Sequence, residues 1–208
     1  MNIEEEECGL DRLINFSDAV IAIAITLLVL EIQLPGAARG LDAQQVTREI
    51  LAMWPKYLGY LVSFWVIGLY WMAHHRVFRL LRGYDRRLLT LNLAFLCTVA
   101  FMPFPTSVLF DYAGLFIVVL LYAGTLTLTG LSLVAIWLYA THDHRLVDAQ
   151  LDDTLINNQT RSLLVGPGIF LLSIAVAAFN PDLAMYAWLL QIPAYFLTRP
   201  PSAAERTS

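Results

Sequence analysis

One stretch, residues 12–32, limits what this chain can become. It reads RLINFSDAVIAIAITLLVLEI. As a helix rising about 1.5 Å per residue it is long enough to cross a bilayer. Yet it carries a carboxylate, Asp18, just inside its N-terminal end. At about 100° per residue, Ile23, Leu27, Leu30 and Leu34 fall within a narrow arc, with Phe16, Ala19 and Thr26 beside them. Asp18 lies about 140° round from Ile23, so it faces away from that arc. The helix therefore presents an apolar stripe and, behind it, an ionisable group that needs a partner at membrane depth.

The rest of the chain is of the same kind. Of 208 residues, 58% are hydrophobic and only 14% are charged, and the mean hydropathy is +0.63. A water-soluble core does not require that much apolar sequence, so the expected class is an all-α, multi-pass membrane protein. Six spans are expected, forming one domain over 1–198, with a disordered tail at 199–208. The first runs 12–34 and ends at Pro35-Gly36. The second, 50–73, has Trp54, Tyr57 and Tyr60 at one end and Tyr70 and Trp71 at the other, the aromatic-belt pattern. The third, 88–110, contains Pro103 and Pro105 and should kink or break. The fourth, 112–140, has Gly124 and Gly130 bracketing Thr125, Thr127 and Thr129, which suits close helix packing. The fifth is 162–179. Asn180-Pro181-Asp182 makes a tight turn into a short sixth, 183–198.

Basic residues orient these spans. With the N-terminus inside, Arg12, the loop arginines Arg76, Arg79, Arg82, Arg86 and Arg87, and Arg145, Arg161, Arg199 and Arg206 are all cytoplasmic. Only Arg39, Arg48 and Lys56 remain outside, so both termini are expected to be cytoplasmic. Cys8 and Cys97 are the only cysteines, one before and one within a span, so neither a disulfide nor a cysteine metal site is expected. The segment before the first span is acidic, Glu4 to Glu7, unlike the basic start of a signal peptide. No nucleic-acid partner is expected; the surroundings are a lipid bilayer.

The chain carries no Gly-x-Ser-x-Gly elbow, His-Glu-x-x-His pair, Cys-x-x-Cys pair or Walker loop. Enzyme activity and a cofactor are accordingly not expected. The potassium-filter sequence Thr-Val-Gly-Tyr-Gly is also missing. What remains is polar groups near membrane depth: Asp18, His74-His75-Arg76 closing the second span, and Asn92 early in the third. The assigned orientation brings all three regions to the cytoplasmic end. A buried clamp that fixes helix packing is the preferred reading over a proton relay or a metal site, since polar groups in a span must find partners in any case. His142, His144, Asp148, Asp152 and Asp153 read as a solvated loop, because no metal-ligand spacing repeats.

The motif Arg12-x-x-x-Phe16-Ser17-Asp18, followed by Ala19-Val20 and the Ile/Leu run, resembles the first helix of the endosomal and lysosomal potassium channel family, transmembrane protein 175. Trp71-x-x-His74-His75-Arg76, Leu91-Asn92-Leu93 and Pro103-Phe104 are similar to the same family. The resemblance covers the first three spans; the last three agree in layout only. Animal members carry two six-helix units per chain. A single Phe-Ser-Asp motif resembles the prokaryotic form, which implies a homotetramer with the first helix of each subunit lining a central pore. By that resemblance, Ile23, Leu27 and Leu30, continued by Leu34, match the hydrophobic constriction, and Thr26 matches a threonine layer beside it. Arg12, Phe16, Ser17 and Asp18 match the motif that holds the pore helix, with His74, His75, Arg76 and Asn92 around it. Either His74 or His75 would be the partner of Asp18.

The physical argument runs the same way. One stripe cannot enclose a pore within one subunit, but symmetric copies can. A ring of Ile and Leu offers no oxygen to replace ion hydration, so it acts as a dewetting gate and favours K⁺, which sheds water more readily than Na⁺. Glu31 would flank the outer end and concentrate cations. The expectation is a potassium-selective leak channel in the cell (inner) membrane, with K⁺ as the permeant ion and weaker Na⁺ permeation. The alternative is a proton-coupled secondary transporter using Asp18 and His74 or His75, although no inverted repeat supports it.

Overall fold

The computed structural model describes residues 3–33, 42–112, 114–191 and 193–194. Leu34 and the tail at 199–208 lie outside them. Among the described residues the chain is mostly helical, with one isolated antiparallel bridge between Leu81 and Val147.

Helix α1 runs Ile3–Leu27 and tightens into a 3₁₀ turn, Leu28–Glu31. It reaches back through the acidic segment, ahead of the expected start at Arg12. Helix α2, Ala43–Ala52, is opened by a reciprocal cap between Asp42 and Gln45, which satisfies two otherwise orphaned backbone N–H groups. Helix α3 follows at Trp54–Phe78, bent 42° from α2. Pro55 sits in its first turn, where a missing N–H costs nothing but the ring blocks a continuous helix from α2. The expected end at 73 is passed by a full turn, so His74, His75 and Arg76 lie within the helix.

Helix α4, Arg86–Phe101, is capped by Asp85, whose side chain accepts from the Leu88 N–H at 2.8 Å. It breaks at Met102, and α5 occupies Pro103–Asp111, as Pro103 and Pro105 require. Helix α6 spans Phe116–Thr141. Helix α7, Asp153–Ala177, starts well ahead of the expected 162, because Asp152 caps it by accepting from Thr154 N–H. Asn180 caps the short α8, Pro181–Ala187, which ends in a 3₁₀ turn at Trp188–Leu190.

Among the described residues four or five of the six expected spans are found. Gly9–Glu31, Arg86–Asp111, Phe116–His144 and Asp153–Ala177 are each long and apolar enough to cross a membrane, and the bent pair α2–α3 makes a fifth. The expected sixth is reduced, within the described residues, to the seven-residue α8 and its turn. The chain is a multi-pass helical membrane protein with four or five candidate spans.

Helix α6 sits at the centre, burying Tyr122, Leu126, Leu133, Ile136 and Trp137. It packs against α7 and α4. Gly130 permits the α6–α7 approach: a Cβ there would lie 2.3 Å from the Pro167 ring of α7. Gly124 has nothing within 4 Å, so only one of the two expected packing glycines serves that purpose. The three threonines between them turn inward on their own helix, each hydroxyl donating to the carbonyl four residues back. They satisfy themselves and leave the packing face apolar.

Candidate functional site

Helix α1 is two-faced, along the lines its periodicity predicts. Leu13, Ser17, Ile21, Ala24 and Leu28 are buried against the rest of the subunit. The opposite face is open: Ile23 is 58% exposed, Leu27 41% and Leu30 61%, with Phe16 at 51%. Arg12, Ala19, Ala22 and Thr26 are exposed on the same side. The Thr26 hydroxyl donates to the Ile23 carbonyl at 2.8 Å, so it is held against the helix beside the stripe. Glu31 is half-buried at the end of the 3₁₀ turn. Such a continuous apolar surface on one helix marks a face that meets another apolar surface or lipid, or that lines a dry passage.

Behind the stripe lies a buried polar chain. Ser17, Asn92 and His74 are all fully buried. The Ser17 hydroxyl donates to the Leu13 carbonyl at 2.9 Å, and Asn92 Nδ2 donates to Ser17 Oγ at 2.8 Å. Asn92 Oδ1 is then the acceptor for His74 Nε2, 2.9 Å away, which places the ring proton on Nε2. The imidazole is stacked between Phe78 and Phe95, at 4.0 and 5.1 Å between centroids. Its Nδ1 has no hydrogen-bond partner among the described residues. Three helices, α1, α3 and α4, are thereby tied by bonds in a low-dielectric interior, where a satisfied network fixes one arrangement.

Asp18 takes a different partner from the one expected. Its Oδ1 accepts from the indole N–H of Trp71 at 2.8 Å, while Trp71 lies 6.0 Å from the His75 ring. Among the described residues Asp18 makes no direct bond to the His74 or His75 ring. His74 is instead committed to Asn92, and His75 is exposed. Trp71 was read as a belt aromatic and as part of the Trp71-x-x-His74-His75-Arg76 motif, not as the partner of Asp18; its place one turn before His74 is the signal that puts it on the face toward α1. Arg76 is half-buried at the α3 end.

A second contact escapes the sequence altogether. The Tyr139 hydroxyl of α6 donates to Asp85 Oδ2, and the Arg145 guanidinium lies 4.9 Å above the Tyr139 ring. Partial desolvation pushes the Asp85 carboxyl up, but the Tyr139 hydroxyl, the N–H groups of Leu88 and Arg87 and the charge of Arg145 outweigh it, so its pKa is lowered. The 142–152 loop is thereby docked onto the α3–α4 loop, helped by the Arg82 N–H donating to the Leu146 carbonyl at 2.8 Å. The acidic and histidine residues of that loop gather no group of three that could hold a metal, among the described residues.

Relatives share this layout. A family model, "Endosomal/lysosomal potassium channel TMEM175", matches residues 12–103. A potassium channel of Chamaesiphon minutus is 34% identical over 177 residues, covering 84% of this chain and 86% of that protein. A crystal structure of a lysosomal potassium-selective channel TMEM175 homologue from Chamaesiphon minutus superposes with a TM-score of 0.80 at 29% identity, over 93% of this chain and all of that one. The human endosomal/lysosomal proton channel TMEM175 is 25% identical over 191 residues, and the match spans only 37% of its length. The matched segment contains the two-faced α1 and its buried clamp, and the bacterial similarity extends over most of both chains: this chain belongs to the TMEM175 family of endosomal/lysosomal potassium channels.

Proposed function

We propose that this chain forms a potassium-selective, leak-type cation channel, assembled as a homotetramer in the cell (inner) membrane with both termini cytoplasmic. In this reading, α1 of each subunit lines a central pore, and Ile23, Leu27 and Leu30 form stacked apolar rings with Thr26 beside them. The observation that carries it is the exposure of those three residues on the face of α1 opposite its packing face. Symmetric copies turn such a face inward without exposing it to water. Rings of branched side chains resist wetting, and the ion that dehydrates more readily, K⁺, crosses more easily. Glu31, repeated fourfold near one mouth, raises local cation concentration. The Ser17–Asn92–His74 chain and the Asp18–Trp71 bond hold the pore helix from behind.

Proton-coupled transport by a direct Asp18–histidine couple fits less well, because Asp18 and His74 each bond a different partner. Proton conduction through the same pore is a separate reading, favoured by the printed name of the human relative.

The test is Ile23→Asn in planar bilayers under paired K⁺ and Na⁺ gradients. The substitution keeps the number of side-chain heavy atoms but supplies amides that hold water and coordinate ions. Current should rise and the preference for K⁺ over Na⁺ should fall. Unchanged conduction and selectivity in well-assembled protein would make the stripe a packing seam. A pH-sensitive dye enclosed in liposomes carrying the same protein reads the proton arm separately.

A further inference from the structure

At the end of the bundle opposite the arginine-rich loop, a cavity of about 380 Å³ opens between α3, α5, α6 and α8. This is within the range of about 300–1,000 Å³ that takes small ligands. Its walls include Val62, Phe110, Tyr122 and Trp188. The two polar aromatic tips are already satisfied: Tyr122 OH shares a hydrogen bond with Ser63 Oγ at 3.0 Å, and the Trp188 N–H donates to Ser173 Oγ at 2.9 Å. The space is therefore lined mainly by ring surface and aliphatic carbon.

The mouth is different. Trp54, 64% exposed, stands there with Lys56 and Asp182. Lys56 is spoken for, with its Nζ 2.8 Å from Asp111. Asp182 is exposed and has neither a hydrogen bond nor an ion pair from its side chain among the described residues. One unmatched negative charge thus sits at the mouth of an apolar, aromatic-walled slot. That combination complements an ammonium group carrying a hydrocarbon chain, with the charge on the carboxylate and the aromatic faces and the chain inside. Leu58 and Leu189, which also line the cavity, are exposed, so in a membrane-spanning chain the opening meets lipid directly.

We propose that this cavity is a site for a bilayer aminophospholipid of the phosphatidylethanolamine class, its ammonium at Asp182 and one acyl chain between α3 and α8. The site is separate from α1 and depends only on the chain spanning a membrane. Helix α5, which forms one wall, also packs against the 3₁₀ turn at the end of α1, so an occupied cavity braces the end of the proposed pore helix.

The experiment uses the assembled full-length protein in phosphatidylglycerol vesicles containing a trace of phosphatidylethanolamine with a photoreactive diazirine on its acyl chain. The comparison probe carries the same chain on phosphatidylglycerol. After irradiation, adducts are mapped by peptide mass spectrometry. The ethanolamine probe should label segments 54–62 and 182–189 about threefold or more above the glycerol probe, the ratio of one partly exposed charge pair. Asp182→Asn should bring the two probes level, and Val62→Trp, which fills the slot, should remove labelling by both. Equal labelling by both probes in the unmodified protein, which is bulk-lipid contact, would overturn the proposal. So would a preference that survives Asp182→Asn, or an unlabelled cavity, which would place a neighbouring copy or another part of the chain in it. Should Val62→Trp fail to assemble, Asp182→Asn decides alone, since that side chain lies at the surface.

Discussion

Asn92 is the residue on which the buried clamp turns, because its side chain bonds side chains on both other helices. Its amide donates to Ser17 and its oxygen receives His74. Asn92→Ala leaves the His74 ring, already lacking a partner at Nδ1, with no hydrogen bond at all. The full desolvation of a buried donor then goes uncompensated, at about 1–3 kcal/mol. Trp71→Phe removes the bond to the half-buried Asp18 but keeps an aromatic ring at this exposed position, at about 1 kcal/mol or less for the bond. Thermal unfolding of the two variants in detergent should therefore rank Asn92→Ala as the more damaging. The opposite order would make the Asp18–Trp71 bond the principal tie on α1. A double-mutant cycle adds detail: Asp18 should couple to Trp71 by about 0.5–1.5 kcal/mol and more weakly to His74.

Between elements, close approach and capping decide. At Gly130 any side chain must displace the Pro167 ring of α7, which is rigid within its own helix. Gly130→Val should cost about 1–3 kcal/mol through overpacking. Gly124→Ala, with open space around it, should be neutral or stabilising by helix propensity. Equal melting temperatures for the two variants would mean that α6 and α7 slide without cost. At the other junction, Asp85 both caps α4 and receives Tyr139. Asp85→Ala should lower stability by about 1 kcal/mol or more through the cap, whereas Asn, a competent cap, should lose less. The carboxyl pKa is lowered in the folded state. Its contribution is therefore present above the unfolded value of about 4 and fades as pH falls through the folded value. An acid titration of the melting temperature should show a drop in that region that is missing from Asp85→Asn.

For the whole molecule, the contrast between the two faces of α1 separates pore from packing. Ile25 is half-buried and packs against the subunit core. Ile25→Asn should destabilise the protein by placing an amide among apolar neighbours, while leaving the K⁺ to Na⁺ preference of the surviving channels unchanged. Ile23→Asn, on the open face, should do the reverse. If Ile25→Asn altered selectivity and Ile23→Asn only stability, the helix would be turned the other way in the assembly.

Local periodicity and punctuation were sufficient for much of this architecture. The apolar span at 12–32 and its stripe were readable because a helix repeats every 3.6 residues; that Ile23, Leu27 and Leu30 share one face follows from that period, but that the subunit leaves this face open does not. The break near Pro103 was readable because proline lacks the donor a helix needs. Asn92 and His74 could be named as candidates, since polar groups in a span must be partnered; Ser17 entered only through the resemblance of the Phe16-Ser17-Asp18 motif. Which partner each takes was not readable. Asp18 bonds Trp71 across 53 positions and Ser17 bonds Asn92 across 75, and such pairings depend on how helices rotate against one another. The Asp85–Tyr139–Arg145 latch joins two loops by the same kind of long-range contact. The 183–198 segment, apolar enough to suggest a span, forms a short helix and turn as far as Leu190. Sequence determined which surfaces had to be apolar and which groups needed partners, because those are properties of one helix; only the packing of several helices decided the partners, because hydrogen bonds are directional and short.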